Sequence, residues 1–191
     1  MESTVVRFTL CEFARMAEAG VFDDREGVRI ELVEGEVCEM MSPINPPHVE
    51  IVKRLSAWAS NSLPPRIGAV YGQSPLQLAS TESVLQPDLY VARPGDYWKR
   101  WPNESEALLV VEVADSSLNR DLGDKAMLYS RSGIADYWVV DIEHESIHVH
   151  RDPDTGSKGG YRSRRASGKS EAVSPLAFPD ISLKVGTLFA K

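Results

Sequence analysis

The 191-residue sequence has few cysteines, no surplus of basic side chains and no long hydrophobic run. Its two cysteines, Cys11 and Cys38, cannot build a disulfide framework, which favours a reducing compartment. The longest aliphatic run, residues 108–111, stops at Glu112 and is far too short to cross a bilayer. The first residues are neither basic nor apolar, so they do not predict a secretory signal. We therefore expect a cytoplasmic protein with no membrane partner.

Acidic residues outnumber basic ones in this chain. Asp and Glu total 28 and Lys and Arg total 21, which gives a formal net charge of −7. This balance argues against a protein that coats nucleic acid through bulk electrostatics, although it permits a local basic surface around an acidic catalytic centre. The sequence also lacks a complete phosphate-loop signature and the Gly-x-Ser-x-Gly elbow of many hydrolases.

The order of predicted helices and strands indicates a single domain, residues 1–191, of the α/β or α+β class. Helical periodicity is found in three segments: residues 9–19 (with a Thr9–Glu12 capping box), 48–60 and 118–132. Extended structure is predicted for a hairpin and five further segments: residues 29–40, 69–79, 84–91, 107–114, 135–142 and 146–150. We expect these strands to form one mixed sheet flanked by helices.

Glu112 is the most informative residue, because it lies inside the apolar strand predicted over residues 107–114. An ionised carboxylate in such a strand costs several kcal/mol unless another group compensates its charge. Asp88 poses the same problem in the extended run of residues 84–91. Two carboxylates on neighbouring core strands suit a hard cation such as Mg²⁺. The alternative is a purely structural role, in which an arginine or backbone amides neutralise each carboxylate.

The third predicted helix carries a lysine inside its apolar stripe. One helix face is shared by residues spaced four, three and four positions apart: Leu118, Leu122, Lys125 and Tyr129. We expect Lys125 on that face to meet an acid in the interior. The alternative is a surface pair with Asp121, four residues earlier, which would contribute only about 0.2–0.5 kcal/mol.

An acid of the hairpin and a basic segment each allow two interpretations. Glu31 is either the outward residue of an alternating strand or a third acid of the site. No acidic residue interrupts the segment 158–169, which includes Arg162, Arg164 and Arg165. That segment either contacts phosphates or forms a solvated hairpin whose charges discourage edge pairing.

Two further clusters are candidates for binding. Three histidines that suit zinc lie close together in the sequence, at His144, His148 and His150. Aromatic residues lie close together at Tyr97, Trp98 and Trp101. They are candidates to stack on bases, to pack in the core or to seal a dimer. Neither cluster has a spacing that fixes its role.

Five short motifs occur in an order that is more specific than any one of them. They are IELVEGEV at 30–37, QPDL at 86–89, VVEV at 110–113, DxxxKxxxY at 121–129 and GIADYWVVD at 133–141. In this order they resemble the Uma-type family of restriction endonucleases, a branch of the PD-(D/E)XK nuclease superfamily. The resemblance extends from about residue 8 to residue 189. It implies a restriction-endonuclease-like core, a mixed β-sheet flanked by helices, with an N-terminal helix and hairpin.

The resemblance also implies a set of site residues. Asp88 and Glu112 would bind Mg²⁺, or Mn²⁺ in its place, and the Val113 backbone carbonyl is a further candidate ligand. The usual lysine of the superfamily lies two residues after the second acid, where this sequence has Ala114. In the Uma-type pattern the lysine comes from the following helix, and Lys125 matches it.

The implied activity is Mg²⁺-dependent hydrolysis of DNA phosphodiester bonds. The cation polarises a phosphoryl oxygen and lowers the pKa of a bound water, and Lys125 orients that water or offsets transition-state charge. Glu31 matches the early acid of the family and either binds a second ion or orients Lys125. DNA is then the partner, and a homodimer is a further expectation. Two other functions stay open: a nuclease-like module without useful catalysis that binds nucleic acid or dimerises, and a metal-dependent hydrolase of a non-nucleic substrate.

Overall fold

In the computed structural model, which describes residues 4–25, 27–40 and 45–190, helices cover both faces of a large β-sheet. The helices are α1 (Leu10–Glu18), α2 (Pro46–Ser62), α3 (Leu118–Arg120) and α4 (Ala126–Arg131). A π-helical turn, Asp121–Lys125, joins α3 to α4. The helix predicted over residues 118–132 is therefore one helical segment with a wider turn inside it.

The strands are short, apart from those at the centre and at one edge of the large sheet. Their bounds are β1 (Arg29–Val33), β2 (Glu36–Met40), β3 (Ala69–Gly72), β4 (Leu76–Leu78), β5 (Ser83–Leu85), β6 (Leu89–Ala92), β7 (Ala107–Ala114), β8 (Asp136–Asp141), β9 (Ser146–Pro153), β10 (Tyr161–Gly168), β11 (Ala172–Val173) and β12 (Leu183–Lys184). The predicted hairpin of residues 29–40 is confirmed as β1 and β2, which pair antiparallel.

The central sheet has the strand order β10-β9-β8-β7-β6-β3 and is mixed. β7 and β8 run parallel, whereas the other neighbouring pairs of this sheet run antiparallel. The segment α3–α4 forms the crossover between β7 and β8, because a parallel pair needs a long connection. This arrangement places α3–α4 over the end of β7.

A second, four-stranded sheet has the order β2-β1-β5-β4. The sequence predicted one sheet, and it predicted residues 69–79 and 84–91 as two continuous extended runs. Each run is instead divided between the two sheets. Pro75 and Pro87 lie at the divisions, where a residue without a backbone N–H cannot continue a strand ladder.

α2 covers one face of the central sheet, and α4 covers the other. Ile51, Leu55 and Ala59 of α2 pack in one apolar core, whereas Leu128 and Tyr129 of α4 pack in the other. α2 begins earlier than predicted, because Pro46 and Pro47 occupy its first turn after the Asn45 cap. Proline is tolerated there since the first helical N–H groups have no partner within the helix.

Among the described residues, no helix has the length and apolar character that a bilayer span requires. The expectations of a single domain, of a cytoplasmic location and of a homodimer remain predictions.

Candidate active site

Strand register places Asp88 and Glu112 side by side. β6 and β7 run antiparallel, with Leu89 opposite Val111. The next pair in this register, just before the start of β6, is Asp88 opposite Glu112. Both acids are buried, with 3% and 2% of their surface exposed. The structure therefore joins the two acids that the sequence singled out.

Asp88 is surrounded by hydrogen-bond donors. Its Oδ1 accepts from Arg29 Nη2 at 2.9 Å, and its Oδ2 accepts from the Val113 N–H at 2.9 Å. Oδ2 also lies 3.2 Å from Nε2 of the buried His48. Burial raises the pKa of Asp88, but His48, the Val113 amide and Arg29 outweigh burial and hold this pKa at about 2. Asp88 is therefore ionised at neutral pH.

Glu112 is held by two donors from the helical crossover. Its Oε1 accepts from Lys125 Nζ at 2.8 Å and from the Tyr129 hydroxyl at 2.9 Å. Burial raises the pKa of Glu112, and although Lys125 opposes this effect, Asp88 and Asp121 add to it, so the pKa lies at about 8. Glu112, unlike Asp88, is thus short of compensating positive charge.

Lys125 reaches the site from the π-helical turn, with 12% of its side chain exposed. Its Nζ lies 3.8 Å from Asp121 Oδ1 as well as 2.8 Å from Glu112 Oε1. The inward orientation predicted from the apolar stripe is therefore present, and the surface-pair interpretation is wrong because Asp121 is itself buried. Burial lowers the pKa of Lys125, but the negative charges of Glu112, Glu31 and Asp121 outweigh burial. The pKa is therefore raised above the usual lysine value, and the ammonium group keeps its proton.

Asp121 is a site residue that sequence reasoning missed. Ser117 Oγ donates to its Oδ2 at 2.5 Å, and its backbone carbonyl accepts from the Tyr137 hydroxyl at 2.9 Å. Burial raises the pKa of Asp121 above its usual value. The available signal was its place four residues before Lys125, but regular α-helical spacing does not predict a π-helical turn. Arg29 had no such signal, because its contact with Asp88 depends on the second sheet.

Glu31 lies beside the site rather than in it. Its side chain is buried, so the outward-facing interpretation is wrong. Oε1 accepts from the Gln86 N–H at 2.8 Å, whereas Oε2 has no hydrogen-bond donor among the described residues. Arg120 Nη2 is 3.9 Å from Oε2. A buried oxygen without a donor costs about 1–3 kcal/mol, so this carboxylate is suited to a further positive or N–H group.

A narrow cleft of about 30 Å³ opens onto the buried acids. Among the residues that line it are Asp88, Glu112, Val113, Asp121 and Lys125. This volume holds an ion or one or two waters. Among the described residues, no cluster of three or more His, Cys, Asp or Glu side chains is positioned for a metal. Mg²⁺ does not need such a cluster, because it keeps several waters and uses one or two carboxylates, so the donor set fits Mg²⁺.

The three basic residues proposed to contact nucleic acid lie on β10, at the far edge of the central sheet. Arg162 pairs with Asp152 at 3.1 Å, and Arg165 pairs with Glu171 at 2.5 Å. Arg164 has no ion-pair partner among the described residues, and its Nε donates to the Tyr161 carbonyl. The structure therefore does not bring this segment to the acids, because Glu112 on β7 lies three strands away and Asp88 beside β6 lies four strands away.

The histidine cluster does not form a zinc site within the described parts of the chain. His144 Nδ1 and His148 Nε2 lie 2.8 Å and 3.5 Å from the same oxygen, Asp141 Oδ2. His150 is buried, and burial lowers its pKa to about 4, with Arg164 adding to the effect. These residues serve local ion pairing and packing.

The aromatic segment is divided between packing and exposure. Tyr97 packs edge-on against Tyr71, and Arg100 lies over the Tyr97 ring. Trp98 and Trp101 are exposed by 91% and 45%. These residues line a groove beside α1, away from the buried acids.

Comparison with known proteins gives a family and a fold. The model of the Uma2 family, described as "Putative restriction endonuclease", matches residues 10–186. A solved structure, the crystal structure of a putative nuclease belonging to DUF820 from Anabaena variabilis ATCC 29413, is similar with a TM-score of 0.71. The two are 15% identical, over 95% of this chain and 97% of that chain. At this identity the likeness shows the fold alone, and the predicted mixed sheet flanked by helices is confirmed.

A curated relative gives a partial match. The chorismate synthase of Novosphingobium aromaticivorans is 29% identical over 148 residues, which cover 68% of this chain. The chain spans 39% of the length of that relative. This partial match does not assign the activity of a chorismate synthase to the chain.

Proposed function

The chain belongs to the Uma2 family, described as "Putative restriction endonuclease", and from this premise we propose that it is a Mg²⁺-dependent endonuclease that hydrolyses DNA phosphodiester bonds. The observation that carries the proposal is the 2.8 Å hydrogen bond from Lys125 Nζ to Glu112 Oε1, beside the ionised Asp88. A cleft that gathers buried carboxylates and a protonated lysine suits phosphoryl transfer, in which charge develops on oxygen atoms.

Asp88 and Glu112 would hold Mg²⁺, and the Val113 carbonyl is the further ligand that we propose. When bound, the ion supplies positive charge at the phosphoryl oxygens and at a water molecule. Arg29 and His48 hold the Asp88 carboxylate in place through Oδ1 and Oδ2. Tyr129 holds Glu112 in the same way, since its hydroxyl donates to Oε1.

Lys125 acts as a fixed positive charge. Because its pKa is raised above the usual lysine value, it keeps its proton at neutral pH and cannot serve as a general base. It orients the attacking water or offsets the charge on the phosphoryl oxygens in the transition state. Glu31 contributes to the raised pKa of Lys125, so we assign Glu31 a positioning role through charge.

Among the β10 residues Arg162, Arg164 and Arg165, we propose that Arg164 makes the contact with the DNA backbone. Arg164 is the strongest candidate, because the other two already pair with acids. A cation that is not neutralised by a neighbouring carboxylate releases more counterions when it meets a phosphate.

The test is cleavage of supercoiled plasmid and of single-stranded circular DNA with Mg²⁺ or Mn²⁺. The wild-type protein should cleave with metal and not with EDTA. Glu112→Gln should lower the rate by more than about 100-fold, since a bound ion contributes several kcal/mol to phosphoryl transfer. Glu143→Gln, the same substitution at an exposed glutamate in the turn after β8, is the matched control and should cleave normally. Undiminished cleavage by Glu112→Gln, or no cleavage by the wild type, would contradict the proposal.

A further inference from the structure

A second cavity adjoins the catalytic cleft and is large enough for a nucleoside. Its volume is about 300 Å³, the size at which small-molecule pockets begin. Arg120 and Lys125 line both this cavity and the cleft that contains Asp88 and Glu112. A substrate held at the cleft can therefore extend past these two side chains into the cavity.

The wall of the cavity is partly apolar. Val33 and Leu85 line it from the smaller sheet, and Leu128 lines it from α4. Leu85 and Leu128 belong to the buried core and are 1% and 4% exposed. Met127 lies at the solvent edge with 41% exposure. Apolar side chains of this kind favour the flat, weakly polar faces of an aromatic ring.

The wall also contains an unused hydrogen-bond acceptor. Glu31 lines the cavity, and its buried Oε2 has no donor among the described residues. The neighbouring Arg120, 3.9 Å from Oε2, has a side chain that is 41% exposed and so has room to move aside. A ligand with an N–H donor is the chemical complement of this oxygen. Amino groups on adenine, cytosine and guanine are such donors.

Basic residues outnumber acidic ones in the lining of the cavity. The basic residues that line it are Arg120, Lys125, Arg131 and Lys158, and the acidic ones are Glu31, Glu34 and Asp124. Arg131 pairs with Glu34 at 2.7 Å, whereas Lys158 has no ion-pair partner among the described residues. A flat ring, an N–H donor and an adjoining negative charge together describe a nucleotide.

We propose that this cavity binds the base of a nucleotide next to the phosphodiester that is cleaved. A base that is stacked in a duplex cannot enter it without leaving the stack, which costs free energy. The preferred substrate is therefore a single strand, or DNA with an unpaired base, rather than a continuous duplex. This inference rests on the proposed nuclease function, because that function places the polynucleotide in the adjoining cleft.

The experiment fills the cavity and compares three substrates. Val33→Trp fills it from the sheet, and Met127→Trp covers it from the solvent edge, where a larger side chain is tolerated in the fold. Val21→Trp, at a position with 54% exposure that does not line the cavity, is the matched control. The substrates are a single-stranded oligonucleotide, the duplex of the same sequence, and a single strand of the same length with tetrahydrofuran abasic sites, which has the backbone and no bases.

The wild-type kcat/KM should be at least about tenfold higher for the single strand than for the duplex, the factor expected from the stacking of one base. Val33→Trp and Met127→Trp should raise KM for the single strand about tenfold, with kcat and the cleavage of the abasic strand unchanged. The control should match the wild type for each substrate. Equal cleavage of duplex and single strand, or unchanged KM in a folded Met127→Trp, would overturn the inference.

If the wild type cleaves none of these substrates, the nuclease proposal fails and binding tests the cavity by itself. The dissociation constant of a fluorescent single-stranded 12-mer is then measured in EDTA by anisotropy. About tenfold weaker binding to Val33→Trp and Met127→Trp than to Val21→Trp supports a base-binding cavity. Equal binding by the three variants overturns it.

Discussion

Two neighbouring carboxyl groups, Asp88 and Glu112, differ in pKa although both are buried. Asp88 accepts hydrogen bonds from Arg29 and the Val113 N–H and contacts His48. These groups hold its pKa at about 2. Burial and two nearby acids raise the pKa of Glu112 to about 8 despite the adjacent Lys125. Paired titratable groups whose pKa values are pushed apart are typical of catalytic sites.

Lys125 should be required for cleavage but not for folding. Lys125→Met removes the positive charge that we assign to the transition state, so the cleavage rate should fall by roughly 10²–10³-fold. Lys53→Met, an exposed lysine on α2, is the matched control and should have the wild-type rate. The measurement is the plasmid-nicking rate, with circular dichroism as the check on folding. A folded Lys125→Met protein that cleaves normally would remove Lys125 from the mechanism.

Asp88 should make stability depend on acidic pH. Its folded pKa of about 2 lies below the ordinary 3.8, so the stability it contributes is present above pH 4 and is lost as pH falls towards 2. The contribution is about 2 kcal/mol. The free-energy difference between wild type and Asp88→Asn, measured by urea unfolding in EDTA, should therefore be larger at pH 5 than at pH 2. A difference that is the same at both pH values would exclude this linkage.

At the scale of elements, the π-helical turn and the hairpin turn decide where charged side chains lie. The π-helical turn, Asp121–Lys125, widens the helix where two of its residues face Glu112. π-turns of this kind are frequent at functional sites. The hairpin turn holds Gly35 at a φ of 83° against the N-terminal segment. It fixes the pairing of β1, the strand that carries both Arg29 and Glu31.

Two glycine substitutions should change stability in opposite directions. At Gly35 an added Cβ would lie 2.9 Å from Arg7 Cβ, and the positive φ disfavours any side chain. Gly35→Ala should therefore lower the free energy of unfolding by about 1–2 kcal/mol. At Gly123 an added Cβ meets nothing within 4 Å, so Gly123→Ala should raise it by roughly 0.5–1 kcal/mol. Urea unfolding of both variants checks the signs, and destabilisation by Gly123→Ala would mean that the π-helical turn requires glycine.

At the scale of the whole molecule, charge is distributed unevenly around an acidic average. The net charge is −7, yet basic residues collect on β10 and around the second cavity. Neighbouring acids neutralise Arg162 and Arg165. The net charge therefore suggests a stronger repulsion of DNA than these local basic surfaces would give. The arginines of β10, in turn, suggest a stronger attraction than their pairing with acids allows.

Arg164 should contribute to the salt dependence of DNA binding more than Arg162 does. Arg164→Gln should reduce the slope of log affinity against log salt by about 1, the change expected for one lost phosphate contact. Arg162→Gln should leave the slope nearly unchanged, because Arg162 already pairs with Asp152. Anisotropy titrations between low and physiological salt measure both slopes. Equal slopes for wild type and Arg164→Gln would place β10 outside the DNA interface.

Local patterns in the sequence determined much of this protein. A nearly continuous apolar run predicted the strand of residues 107–114, which is buried on both faces. Apolar periodicity placed Lys125 on the interior face of its helix. Their place inside apolar extended runs singled out Asp88 and Glu112, which strand register then placed side by side. Only the tertiary structure decided that Arg29 and Asp121 belong to the site, that Glu31 lies in the wall of a second cavity, and that β10 lies at the far edge. These contacts join residues far apart in the chain or depend on a wider helical turn, and no local pattern encodes a distance across two sheets.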